Sequence, residues 1–206
     1  MLPHNIESWN GKRFALALEM NASSTEQGAP GGLVQSSRGC TVIEEAGAVR
    51  LALGNDGLWI PYVLGKVAYG HLTNAHAWLA SGPFSGCELA IGTNTAGTFV
   101  AHIARETSAT DTSAYAGLGE THRLYRAQIQ LAVNHNYACY VFASVQNAVI
   151  QQMVRVDVHA DSCGGSNGTV VNVVEIDPLN PQPAMLNPPT MIQDQTTRSW
   201  KCCVAM

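Results

Sequence analysis

No run of eighteen consecutive apolar residues occurs anywhere in the 206 residues, so no segment is long enough to cross a bilayer as a helix. The first residues, MLPHNIESWNGKRF, lack the apolar stretch of a secretory signal. The chain is therefore expected to stay where it is made or to leave by a route that needs no such signal. Charge is scarce as well: 13% of residues are Asp, Glu, Lys or Arg and the net charge is −4. That leaves no basic footprint for nucleic acid. The six cysteines (Cys40, Cys87, Cys139, Cys163, Cys202, Cys203) form no CxxC pair and no Cys/His zinc spacing. No metal is expected from them, and without a signal segment reduced thiols are expected over disulfides.

Plentiful, by contrast, are apolar residues (46%) and glycine (nineteen). Few charges and many glycines suit a β-rich fold with many turns. Runs such as RFALALEM (Arg13–Met20), CTVIEEAG followed by AVRLALG, LWIPYV (Leu58–Val63), YACYVFASV, QMVRVDVHA and GTVVNVVEI read as strands separated by turn residues. The proline in LWIPYV places that strand at an edge or near a bend. Residues Val67–Leu79 mix helical and alternating spacing. The spacing in Thr121–His135, THRLYRAQIQLAVNH, predicts a helix. About eight strands and one or two helices give an α+β chain, a β-sandwich or mixed sheet core flanked by those helices. Residues 1–176 are read as a single catalytic domain and 177–206 as a proline-rich C-terminal tail.

One hairpin carries chemistry. In FSGCELAIGTNTAGTFVAHIAR, Phe84–Arg105, two apolar runs flank a Gly/Thr/Asn loop. A turn symmetric about the Asn94–Thr95 bond places Cys87 directly across from His102, with Leu89 across from Val100 on the same face. An imidazolium beside a cysteine favours the nucleophilic thiolate, opposing the effect of apolar surroundings. Gly86 lets a substrate backbone approach, and amides around Ser85 and Gly86 can serve as oxyanion donors. The thiolate would attack a carboxamide or ester carbon, and His102 would protonate the leaving group. A core cysteine and a hydrogen-bonded core histidine is the plainer reading of the same pair.

FSGC, then a strand, a Gly-rich turn and VAHI resembles the Cys–His glutamine deamidases that include cytotoxic necrotizing factor and the Burkholderia lethal factor type. More distantly it is similar to the chemotaxis receptor deamidases. AVRLALGNDGLWIPYVLGK resembles the lethal-factor type too, so that the likeness spans Ala48–Arg105. Here Phe84 stands in place of the usual leucine. The resemblance implies a bacterial toxin or effector that converts a specific glutamine of a host protein to glutamate through a Cys87 thioester, with no cofactor. It implies His102 as base and acid, and Ser81, a serine where threonine is expected, as the hydroxyl assisting the histidine. Proline 83, close to Ser81, bears on whether that hydroxyl reaches. The implied partner is a host translation factor or small GTPase, met by a monomer in the host cytosol. The rival expectations are another Cys–His thiol hydrolase or a transglutaminase, and a non-enzymatic prenylated binding module.

Elsewhere, Cys139 reads as core, and Cys40 and Cys163 as structural or incidental. His71, His76 and Asn74 precede the site, and Trp59 and Tyr62 read first as core and second as a cleft wall. The final CVAM fits a farnesyl-type prenylation box at Cys203, usable only inside a eukaryotic cell, and is otherwise a chance ending of the tail. A lipid there would add membrane association, with Cys202 as a second acylation site.

Overall fold

Residues Tyr137–Gln146, YACYVFASVQ, are apolar almost without interruption, and both faces of the strand they form are buried. Tyr140 and Phe142 face one core, while Cys139, Val141 and Ala143 face another. A single strand therefore serves as the wall between two apolar layers. The rest of the chain is arranged around that wall.

The computed structural model describes residues 1–3, 5–28, 32–84, 87–104, 118, 121–126, 137–162 and 165–176. Its strands are β1 (Arg13–Leu16), β2 (Leu33–Gln35), β3 (Arg38–Glu45), β4 (Ala48–Leu53), β5 (Gly57–Pro61), β6 (Val67–His71) and β7 (Trp78–Phe84). They continue with β8 (Glu88–Asn94), β9 (Gly97–Ile103), β10 (Thr121–Arg126), β11 (Tyr137–Gln146), β12 (Val149–Ala160) and β13 (Gly168–Ile176). Eight strands close into a barrel in the order β1-β13-β12-β11-β7-β5-β3-β4, and five form a second sheet in the order β10-β8-β9-β6-β2. The barrel is mixed, with parallel pairs β1–β4 and β5–β7 among antiparallel ones.

Side chains fill the barrel interior, as expected for eight strands. Trp9 meets Phe142 edge-on at 5.2 Å, and Phe14 lies 4.5 Å from Tyr140. Trp59 is fully buried there and its indole N–H donates to the Met20 carbonyl at 2.6 Å. The second core lies between the outer wall of the barrel and the inner face of the five-stranded sheet. Leu58, Ile60, Leu79, Val141 and Met153 come from the wall; Ala68, Leu89 and Val100 come from the sheet. Each of the leucine, isoleucine, valine and methionine side chains contributes roughly 1.5–3 kcal/mol on burial, so this layer is what fixes the sheet on the barrel.

The mixed sheet core agrees with the α+β reading, but the helical share is small. Among the described residues it amounts to one four-residue helix, α1 (Ser24–Gln27), and two 3-10 turns, Ile6–Trp9 and Leu18–Met20. Thr121–Arg126, expected to begin a helix, is instead strand β10, pairing antiparallel with β8 from Thr121↔Thr93 to Arg126↔Glu88. Helix propensity is a weak prior, and the open edge of β8 offers the backbone a full ladder. The remainder of that expected helix, 127–135, and the tail 177–206 lie outside the described residues, as do Cys163, Cys202 and Cys203. The described residues hold thirteen strands against about eight expected, with β2, β6, β7 and β10 among those not expected as separate strands. Pro61 ends β5, where its missing N–H interrupts nothing further along the strand. Among the described residues no helix is long and apolar enough to cross a membrane.

Candidate active site

The β8–β9 hairpin forms, but its register differs from the expected one. Asn94 pairs with Gly97, so the turn is centred on Thr95–Ala96, and His102 lies across from Leu89. Asn94 drives this choice: its side-chain oxygen accepts from the Ala96 N–H at 2.9 Å, and its amide donates to the Leu118 carbonyl at 2.8 Å. Gly97 supplies the positive φ of +116° that closes the turn. Cys87, just before β8, is thus displaced by two residues from the position directly opposite His102. A slip of two keeps the face. Cys87, Leu89 and Ala104 all contribute to the core between sheet and barrel, the layer that His102 also enters. Cys87 and His102 are therefore diagonal on one face, with backbones roughly 7–8 Å apart.

Ser81 reaches the same place from the opposite wall. It lies on β7, beside Ile60 of the parallel strand β5. Its hydroxyl donates to the Ile60 carbonyl at 2.9 Å and lies 3.0 Å from Nδ1 of His102. A hydroxyl has one proton. With that proton on the carbonyl, which can only accept, Ser81 Oγ must accept from Nδ1–H. The chain Ile60 C=O, Ser81 O–H, His102 Nδ1–H therefore assigns the tautomer and leaves the lone pair on Nε2. Nε2 is buried and has no hydrogen-bond partner among the described residues. Proline 83 does not pull the hydroxyl away; β7 runs through it to Phe84.

A break in the β7–β11 ladder completes the arrangement. Phe84 pairs with Cys139 and Ser81 with Val141, so one extra β7 residue is absorbed in between. In a regular strand, residues three apart face opposite sides. The bulge reverses this, so Ser81 and Phe84 both meet His102. Gly82, at φ +153°, sits in the bulge, and an added Cβ would lie 2.5 Å from Cδ1 of Tyr140. Phe84 stacks on the imidazole with ring centres 4.2 Å apart and planes 13° apart; Tyr62 approaches it edge-on at 5.6 Å.

Burial pushes the His102 pKa down to about 3, so the ring is neutral at rest. The expected imidazolium is therefore not the resting form. Between its aromatic neighbours the ring carries a free lone pair on Nε2 and no standing positive charge, and the burial that keeps it neutral also makes it a weaker base than a solvated imidazole. Cys139 is likewise buried and its thiol is pushed up, mainly by that burial. Cys40 lines the barrel interior, and the same cause raises it.

No family model, no curated protein and no solved structure matches this chain. The chemistry must be read from the residues themselves. Cys87, His102 and Ser81 come together in one layer, whereas Ser85 and Gly86, the expected oxyanion and approach residues, lie outside the described residues. Cys203 does too, so the prenylation box has no described structure. Among the described residues no cluster of three His, Cys, Asp or Glu could hold a metal ion. His71, the last residue of β6, bonds Asn94 at 3.2 Å, and His76 accepts from the Thr73 N–H at 3.1 Å in the turn that follows. Trp59 is core, while Tyr62 flanks the imidazole. The Ile60 carbonyl and the Phe84 ring escaped the sequence reading. LWIPYV gave no sign of a functional carbonyl, and Phe84 stood out only as a variant of the motif.

Proposed function

We propose that this chain is a protein-glutamine deamidase of the toxin or effector kind, with Cys87 as nucleophile, His102 as general base and acid, and Ser81 as the hydroxyl that orients His102. One observation carries the reading: Ser81 and the Ile60 carbonyl hold His102 in the tautomer whose free nitrogen, Nε2, can accept a thiol proton on the face that Cys87 shares.

Nε2 takes the proton from the Cys87 thiol as sulfur attacks the carboxamide carbon of a glutamine side chain. The tetrahedral adduct collapses, the C–N bond breaks, and Nε2–H gives its proton to the departing ammonia. Water, losing a proton to Nε2, then attacks the thioester, and the C–S bond breaks to release glutamate and regenerate the thiol. The substrate is a host protein, a translation factor or small GTPase, as the sequence likeness implies. Incubation with candidate proteins should give a one-dalton gain on a glutamine and free ammonia with wild type, and neither with Cys87→Ala. Equal conversion by the two proteins would sink the reading. Intact mass also separates deamidation from cleavage or cross-linking by a thiol peptidase or transglutaminase.

A second reading draws on burial: Cys87 is 1% exposed and His102 0% exposed, which suits a structural tie between sheet and barrel in a non-enzymatic module. Iodoacetamide labelling with peptide mapping decides between them. Under the enzymatic reading Cys87 labels much faster than Cys40 and Cys139, both fully buried; under the structural one all three label alike.

A further inference from the structure

A histidine that must present one particular nitrogen needs two constraints. A hydrogen bond at the other nitrogen fixes which edge of the ring faces which way, and a contact on the ring face fixes its plane. Ser81 supplies the first at 3.0 Å. On the ring face lies Phe84, nearly parallel at 4.2 Å and 13°. Tyr62 closes on the ring edge-on, at 66° and 5.6 Å. Phe84 is itself immobilised: it is fully buried, paired with Cys139 and placed by the β7 bulge.

We propose that Phe84 is a positioning residue, its ring holding the His102 imidazole in the plane in which Nδ1–H meets Ser81 Oγ and Nε2 is offered to Cys87. This rests on the deamidase reading for its consequence, though not for its geometry. Without the ring, the imidazole can tilt about χ2, the Ser81 bond lengthens, and the preference for the Nδ1–H tautomer weakens. Water entering the vacated space would also favour protonation. The groups around the imidazole leave Phe84 and Ser81 as the determinants. Among the described residues Tyr62 and Cys87 are the other titratable side chains on the imidazole's side, while Tyr69 and His71 of β6, the strand paired with β9, lie together on the other face of the sheet. Cys139 lies behind Phe84, and on the same barrel wall Arg155 and Asp157 are bonded to each other at 2.7 Å. Glu88 alternates to the opposite face of β8 from Cys87.

The test is nitrogen-15 NMR of the histidine rings in the full chain, comparing wild type, Phe84→Leu and Phe84→Tyr. Wild type should show His102 as a single Nδ1–H tautomer that does not titrate between pH 8 and pH 5. Phe84→Leu should raise the minor tautomer roughly three- to tenfold, the range stacked rings contribute beyond their burial. It should also bring a titration into that window. Phe84→Tyr, which keeps the ring, should restore the wild-type spectrum. Phe84→Met serves if the leucine variant does not fold. A ringless variant that folds and keeps one tautomer with no titration overturns the proposal, whatever Cys87→Ala does. A scrambled tautomer alongside a Cys87→Ala protein that still converts glutamine keeps the positioning role and discards the deamidase reading.

Discussion

Lowering the pH from 8 to 5 should destabilise this protein chiefly through His102. In the unfolded chain His102 titrates near its ordinary value of 6.5, whereas burial in the fold holds it at about 3. Between those values the unfolded state binds a proton that the folded state refuses. Stability is therefore full above pH 6.5 and is lost as the pH falls towards about 3. At about 1.4 kcal/mol per tenfold difference in proton affinity, the complete loss is about 5 kcal/mol, and about 2 kcal/mol of it has gone by pH 5. With a urea dependence of roughly 2 kcal/mol per molar, the unfolding midpoint should drop by about 1 M. The assay is urea denaturation at both pH values for wild type and His102→Gln. Whatever the substitution itself costs cancels when each protein is compared with itself. His76, which burial also lowers, contributes in the same direction, so the comparison is repeated in a His76→Gln background. A wild-type pH difference that exceeds that of His102→Gln by less than about 0.5 kcal/mol would refute the assignment of a neutral, desolvated imidazole.

Three further outcomes follow from particular contacts. Ser81→Ala removes the acceptor for Nδ1–H and the donor to the Ile60 carbonyl; glutamine conversion should fall roughly ten- to hundredfold, while Ser81→Thr, keeping the hydroxyl, should stay within about tenfold of wild type. Gly82→Ala drives a Cβ to 2.5 Å from the Tyr140 ring at a φ of +153°, and the melting temperature should fall by roughly 5–10 °C; a fall under about 2 °C contradicts the bulge geometry. At Glu26 burial acts to raise the pKa, but hydrogen bonds from Ser36 and Ser23 and the Arg38 ion pair outweigh it and hold the carboxyl at about 2. The stability this clip supplies is present above pH 4.5 and lost as the pH falls to about 2, so acid unfolding of Ser36→Ala should begin at higher pH than that of wild type.

The sequence carried more of the strands than of their partners. Arg38–Glu45 and Ala48–Leu53 form the hairpin that Ala46-Gly47 announces, because a tight turn between two apolar runs is a local property. The three strands from Tyr137 to Ile176 were legible for the same reason. Thr121–Arg126 has a spacing that also fits a helix, and the edge of β8 that captures it lies some thirty residues away in the chain.

At the candidate site the division is sharper. That Cys87 and His102 share a face follows from the sequence, because strand alternation has a period of two and survives a two-residue slip. Which residue opposes His102 does not follow, since Asn94 chose the turn through a bond to Leu118, outside the hairpin. Only the tertiary structure brings Ser81 and Phe84 onto one ring. That meeting needs the second sheet to pack on the barrel wall and β7 to bulge at Gly82, and both are set by β11, a strand more than fifty residues further on. The neutrality of His102 is likewise a property of the layer that buries it, and no residue near it in the sequence carries that information.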